Sequence, residues 1–308
     1  MKTLRYFCDF NIFDRQDNLL TWALSHSFNL IFDEVSPDIV LTGDDLNPNL
    51  LNYKNSKIIY YTGEPFLSWS GDIDRKIIDV ALTFFNFEDS FFKRVPLALF
   101  YNYEYYKNQY IDDYEYLLKN KSSLVIPDKF CSFVTRGYGY PSCPRKHIFE
   151  QLSSYKYINS HGSYFNNSPQ IPIGNTMKFE NSLFKVKEIS NYKFNICFEN
   201  SDGCVKSPND FTYVSKSGLL SEKIYESLLS GTIPIYWGNK DIDKDLNTNR
   251  FINYYDYENF EHMIEKVKEI DNDDKMYLEY KNENFISNNK NSIFSKCYII
   301  ELMKNIAY

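Results

Sequence analysis

Three consecutive residues, Ser221, Glu222 and Lys223, stand where a polar loop gives way to a helical pattern. Leu220, Ile224 and Leu228 repeat at i, i+4 and i+8 and form the buried stripe of that helix, which leaves Glu222, Lys223 and Glu226 to its exposed end or side. A helix N-terminus presents unpaired N–H groups and the positive end of the helix dipole, and Lys223 adds a full charge there. This combination suits an anion, phosphate above all. Asn200 follows an apolar run at Phe194, Ile196 and Phe198 that ends in the polar pair Glu199–Asn200. Arg145 opens a second predicted helix after a loop containing Gly137, Gly139, Pro141 and Pro144, and a guanidinium can hold phosphate through two parallel N–H bonds. Glu64 follows an apolar run that closes on Gly63. A carboxylate just past a strand end is placed to point into a cleft and to take a proton from an attacking hydroxyl. Taken singly, each of these residues is more often a solvated surface charge; their company gives them weight.

The elements that must position these groups alternate between the periods of strand and helix. Residues 4–8, 38–42, 57–62 and 80–85 read as strands, and 19–28 carries helical spacing. Residues 101–122, dense in Tyr, Lys, Asn and Asp, read as a surface helix and linker. A second set begins with a strand at 129–135, a helix at 145–155 and a short strand at 157–159. The 192–200 strand, the 221 helix and a strand at 233–237 follow, then a strand at 251–255 and helices at 258–270, 275–282 and 293–305. Alternation of this kind predicts parallel sheets covered by helices. The expected fold class is α/β with two Rossmann-like domains facing a cleft, residues 1–125 and 126–308, the last helix packing back on the first domain. In such sheets ligands bind at the carboxyl ends of the strands.

Composition narrows the function. The chain has 308 residues, enough for two ordinary domains or one large one, and its 43% hydrophobic content supports a full core. Its 27 Tyr and 25 Phe fit either codon bias or a surface that stacks on sugar rings. A net charge of −7 with both signs interspersed leaves no basic tract for a nucleic-acid backbone. No apolar run is long enough to span a bilayer, and Asp9 and Asp14 interrupt any signal-peptide core. The expectation is a soluble cytoplasmic protein with at most peripheral membrane contact. The six cysteines show no zinc spacing and read as reduced thiols, and none of the four histidines sits in a nucleophile motif.

The residue order sharpens this reading. CFEN (197–200), SEK (221–223) and TIPIYWG (232–238), in that order, resemble the donor-binding signature of the alpha-1,3-fucosyltransferase family. YTGE (61–64) resembles that family's YTGEN, with Pro65 in place of the asparagine, and Arg94–Val95–Pro96 resembles its R-x-P. The resemblance implies the two-domain GT-B glycosyltransferase fold and transfer of fucose from GDP-fucose to a GlcNAc or glucose hydroxyl, with inversion. Acceptors such as N-acetyllactosamine or lactose are implied, bound by the N-terminal domain. Glu64 then matches the proposed base, Glu222 the glutamate near the donor sugar, and Arg145, Asn200 and Lys223 the groups around the diphosphate. Tyr236, Trp237 and Gly238 close the motif in a packing role.

Two features depart from the family. The stretch 201–221 is longer than usual, and Leu219 stands where a phosphate-contacting tyrosine is common; losing such a bond costs about 1.5–3 kcal/mol. Tyr213, in the longer stretch, is the candidate donor-binding replacement. These departures keep open a different nucleotide sugar on the same fold, and an inactive glycan-binding relative is the rival of another class. Asp72-Ile-Asp74, Asp241-Ile-Asp243 and Asp243-Lys-Asp245 fit the metal-binding D-x-D pattern. Lys223, Arg145 and the helix end can supply the same positive charge, so no cofactor or metal is required on this reading.

Overall fold

The computed structural model describes all residues except 8–13, 15, 44–47, 64–74, 86–89, 119–122, 138, 140–142, 172–178, 203, 208–209, 216–217 and 287–291; at 48, 204–207 and 210–215 only the backbone is described. In chain order the first part runs β1 (Lys2–Tyr6), α1 (Leu19–Ser25), β2 (Leu30–Phe32), β3 (Ile39–Thr42), β4 (Lys57–Tyr61), β5 (Val80–Thr83), β6 (Phe92–Arg94) and α2 (Leu97–Lys107). Then come β7 (Lys129–Phe133), α3 (Arg145–Ser153), β8 (Ile158–Ser160), α4 (Phe179–Ile189), β9 (Tyr192–Phe198), β10 (Cys204–Ser207) and β11 (Asp210–Ser215). The last part holds α5 (Glu222–Ser230), β12 (Ile233–Trp237), β13 (Ile252–Asn253), α6 (Phe260–Asn272), α7 (Asp274–Asn282) and α8 (Lys296–Ala307). The chain divides into two compact units: 1–114 with 203–219 and 291–308, and 115–202 with 220–290. The expected α/β class with two parallel sheets is what forms.

In the first unit the strand order is β2-β1-β3-β4-β5-β6, every pairing parallel. The central strands β3, β4 and β5 are almost entirely buried, as strands covered on both faces must be. Asn18 caps α1, its side-chain oxygen accepting the N–H groups of Leu20 at 2.9 Å and Thr21 at 3.2 Å. α8 belongs to this unit, and the rings of Phe28 and Tyr308 lie 5.4 Å apart. The expected helix forms, but its surface placement is overturned, because α2 starts at Leu97 and buries Tyr101, Asn102, Tyr103 and Tyr105. A tyrosine buries a large apolar ring while its hydroxyl finds a partner, so a Tyr-rich helix makes a core. Trp22 stacks on Tyr114 at 4.7 Å, and the Asn102 amide donates to Tyr114 O at 2.8 Å. Arg94 is structural: it donates to Phe84 O at 3.1 Å and to Gly218 O at 2.8 Å.

In the second unit the order is β13-β12-β9-β7-β8, again all parallel. The chain leaves β7 for β8 on one side, then crosses back to β9 on the other. The gap between the carboxyl ends of β7 and β9 is therefore a topological switch point, where open α/β sheets bind ligands. Phe194, Ile196 and Phe198 of β9 pack with Ile233 and Ile235 of β12 and with Met263, Val267 and Ile270 of α6. Asp271 ties α6 to this sheet, accepting from Lys193 at 3.1 Å, from Tyr155 at 3.0 Å and from Lys156.

Several local expectations are corrected. The strand at 251–255 shrinks to β13, because Tyr254–Asp256 turns into a 3-10 helix. α4 was not anticipated, nor were the edge strands β2 and β6. The stretch read as a plain loop at 201–221 contains the antiparallel hairpin β10–β11.

Gly162, just past β8, marks how tightly this sheet end is built. A Cβ there would lie 1.8 Å from Thr135 O, past β7, so no side chain fits without backbone movement. Gly162→Ala should lower the unfolding free energy by about 2–3 kcal/mol, read as a lower urea midpoint at unchanged slope. An unchanged midpoint would contradict the packing described.

Candidate functional site

The predicted site residues of the second unit converge on its switch point. α5 opens as expected, with Ser221 as N-cap and Glu222 and Lys223 in the first turn. What fixes them is Glu199, which follows β9 and is only 1% exposed. Its Oε1 accepts the Ser221 N–H at 3.0 Å and its Oε2 the Ser221 hydroxyl at 2.6 Å. The Lys223 ammonium lies 3.4 Å from Glu199 Oε2, 3.0 Å from Glu222 Oε1 and 3.2 Å from Ser221 Oγ. Gly238 allows the closeness, since a Cβ there would stand 2.6 Å from Glu199 Cγ. The YWG segment thus has the packing role expected of it.

Arg145, at the start of α3, bridges the loops after β7 and β9. It is 2% exposed. It donates to Phe198 O at 3.2 and 2.8 Å, to Gly137 O at 3.1 Å and to Asn200 Oδ1 at 2.7 Å. These bonds engage four of the five N–H donors of a guanidinium. Asn200 itself is exposed and keeps its amide N–H groups for another partner.

The expectation that Glu226 lies on the exposed side of α5 is overturned. It is buried, accepts from Ser182 and pairs with Lys185 of α4 at 2.6 Å. Burial raises the Glu226 carboxyl above its ordinary range despite Lys185. Burial would also raise Glu222, but Lys223 and then Lys185 outweigh it and hold that carboxyl down at about 2. Burial would lower Lys223, yet Glu222 and Glu199 keep its ammonium raised above the ordinary lysine value. Three cations, Arg145, Lys185 and Lys223, are thus interleaved with three carboxylates, Glu199, Glu222 and Glu226.

Glu64, with Asp72 and Asp74, lies outside the described residues. So does the Tyr213 side chain, although its backbone is in β11. Leu219 is buried with Phe84 and Phe85 in the first unit, where it offers no hydroxyl. The residues that sequence reasoning missed are Glu199, Lys185 and Glu226. The signal for Glu199 was present: a carboxylate directly after an apolar strand and before the motif asparagine. Among the described residues no group of three or more His, Cys, Asp and Glu is placed to hold a metal ion, and no helix is long and apolar enough to cross a membrane.

Comparison with known proteins places this geometry. The family model described as glycosyltransferase family 10 (fucosyltransferase), C-terminal part, matches residues 129–299. An alpha-(1,3)-fucosyltransferase of Helicobacter pylori is 27% identical over 282 residues, covering 82% of this chain and 51% of that protein. The chain therefore spans about half the length of this curated relative. A crystal structure of an alpha1,3-fucosyltransferase superposes with a TM-score of 0.73 at 22% identity, over 99% of this chain and 90% of the other. A second crystal structure, of alpha1,3-fucosyltransferase with GDP-fucose, gives a TM-score of 0.71 at 23% identity and the same coverage. At these identities the structural likeness carries the fold.

The charge network predicts an acid limb in stability. Glu222 has a lower pKa in the folded protein, about 2, than its ordinary 4.5, so the unfolded chain takes up the proton first. Its contribution, on the order of 3 kcal/mol, is complete above the unfolded value and is lost as pH falls from there through about 2. Lys223→Met should shrink this limb to what Lys185 alone can hold and lower stability at neutral pH by about 3–5 kcal/mol, because two carboxylates lose their main countercharge. Urea midpoints at pH 7 and pH 3 test both; equal losses in wild type and Lys223→Met between those pH values would contradict the pairing.

Proposed function

Because the chain belongs to glycosyltransferase family 10 (fucosyltransferase), whose model matches residues 129–299, we propose that it transfers fucose from GDP-fucose to a GlcNAc or glucose hydroxyl of an oligosaccharide, inverting the anomeric carbon. The observation that carries this reading is the Lys223 ammonium held with the α5 N-terminus at the switch point of the second unit. The GDP-fucose bound to a protein of the same fold supports the choice of donor.

In this mechanism the acceptor hydroxyl gives its proton to the Glu64 carboxylate as its oxygen attacks the anomeric carbon. The bond from that carbon to the β-phosphate oxygen breaks, and its electron pair leaves with GDP. The diphosphate gains charge as the bond stretches, so Lys223 and the α5 N–H groups stabilise the transition state more than the ground state. Glu222 faces the positive charge that develops on the sugar. Asn200 and the remaining N–H of Arg145 orient the phosphates, with Tyr213 as a further donor contact. No covalent intermediate is needed, and these groups do the electrostatic work of a metal. N-acetyllactosamine and lactose carry the acceptor chemistry this reading requires.

A second reading, the same transfer from a different nucleotide sugar, draws on the burial of Leu219 against Phe84 and Phe85, which leaves that position without a phosphate-binding hydroxyl.

The test is GDP release from GDP-fucose with and without N-acetyllactosamine or lactose, in the presence of EDTA. Acceptor-dependent release is expected. A Glu64→Gln variant should bind GDP like wild type and lose turnover by about 10²–10⁴-fold. Full turnover in that variant would remove Glu64 as the base. A thermal shift with UDP and none with GDP would favour the second reading.

A further inference from the structure

The ammonium of Lys223 donates hydrogen bonds to Ser221 Oγ at 3.2 Å and Glu222 Oε1 at 3.0 Å, and Glu199 Oε2 faces it as a second countercharge at 3.4 Å. A phosphate brought to this cation meets two carboxylates already beside it and competes with them for the same charge. We infer that binding of a nucleoside diphosphate exchanges Glu222 for phosphate on Lys223, while Glu199 keeps its hold and acts as the positioning residue of the site. This rests on the proposed donor site and states how that site is gated.

The two carboxylates differ in what holds them. Glu199 is 1% exposed and has each oxygen in a separate bond to Ser221. Its own N–H donates to Trp237 O at 2.9 Å, which sets its backbone on the end of β12, and Gly238 packs against its side-chain carbons. Moving it would break the cap of α5 and leave a buried charge unpaired, a loss of several kcal/mol. Ser221 is committed through the same carboxylate and cannot be the group that yields. Glu222 is different. Its side chain is 18% exposed, it sits in the first turn of α5, and it is held by a hydrogen bond from Lys223 and by its own backbone N–H, with no residue from another element hydrogen-bonded to it among the described residues. Every other charged group around it is accounted for: Lys185 is paired with Glu226, Arg145 with carbonyls and Asn200.

The exchange has a chemical consequence. A diphosphate placed on Lys223 repels the Glu222 carboxylate that it replaces. Glu222 is thereby released, still ionised, beside the sugar of the same donor, where a negative charge stabilises an oxocarbenium-like centre. One event thus moves a cation onto the leaving group and frees an anion for the sugar. Without the nucleotide, Glu222 shares the neutralisation of Lys223 with Glu199.

The consequence to measure is opposite in sign for the two carboxylates. In calorimetric titration with GDP, Glu222→Gln should bind roughly threefold to tenfold more tightly than wild type, because the competing carboxylate is gone. Glu199→Gln should bind roughly tenfold or more weakly, because Lys223 and the α5 N-terminus lose their anchor. With GDP-fucose and acceptor, Glu222→Gln should lower both KM for the donor and kcat. Glu199→Gln should raise KM and lower kcat together, because the groups it positions act in the transition state, so the two variants move KM in opposite directions, a split that plain destabilisation does not produce. Glu222 is partly exposed, so its variant serves even if Glu199→Gln fails to fold. Weaker GDP binding by Glu222→Gln, with wild type binding normally, would overturn the exchange and leave the donor site standing. If wild type binds no GDP, the donor reading fails and the exchange falls with it.

Discussion

A carboxylate buried to the depth of Glu199 keeps its charge only if hydrogen-bond donors and a cation are brought to it. In the second unit that requirement organises the site. Ser221 supplies an N–H and an O–H, and Lys223 supplies the countercharge. These are the cap and the first turn of α5, so satisfying Glu199 fixes where that helix begins and which way its free N–H groups face. The bond from the Glu199 N–H to Trp237 O and the bare Cα of Gly238 set the same carboxylate against the end of β12. One buried charge thus locks two strand ends and one helix terminus into a single geometry.

The topology explains why this lock stands where a ligand can use it. The crossover from β8 back to β9 opens a gap between β7 and β9, and Arg145 closes its floor by joining Gly137, Phe198 and Asn200. A guanidinium engaged in that way is a brace. It holds Asn200 at the rim and keeps the carbonyls of two loops satisfied. The mobile charge of the site is Lys223, the cation whose partners include a part-exposed carboxylate. Division of labour between a braced arginine and an exchangeable lysine follows from their chemistry: a planar fork fills fixed acceptors, whereas an ammonium on a long stem changes partners readily.

Much of this was legible in the sequence because it lies in local patterns. The apolar runs at 57–61 and 194–198 mark buried parallel strands, and Leu220, Ile224 and Leu228 mark the inner face of α5. The cap at Ser221 can be read from residue type alone. The contacts that complete the site are not local. Arg145 meets Asn200 across 55 positions and Ser182 meets Glu226 across 44, and neither pairing leaves a periodic trace. Glu226 lies off the Leu220–Ile224–Leu228 stripe, but that side of α5 packs against α4 rather than facing solvent. Its partner Lys185 sits on α4, a helix whose buried positions are limited to Ser182, Val186 and Ile189, too few to stand out in sequence. Residue type alone likewise puts α2 at the surface, although the rings of Tyr101, Tyr103 and Tyr105 fill the core of the first unit.

The most direct test of the account is a crystal structure of this protein with GDP bound. The account predicts β-phosphate oxygens within hydrogen-bond distance of Lys223 Nζ and of the first N–H groups of α5, with Glu199 still on Ser221 and Glu222 turned away from the lysine. A nucleotide bound elsewhere, or bound here with the Lys223–Glu222 pair intact, would contradict it.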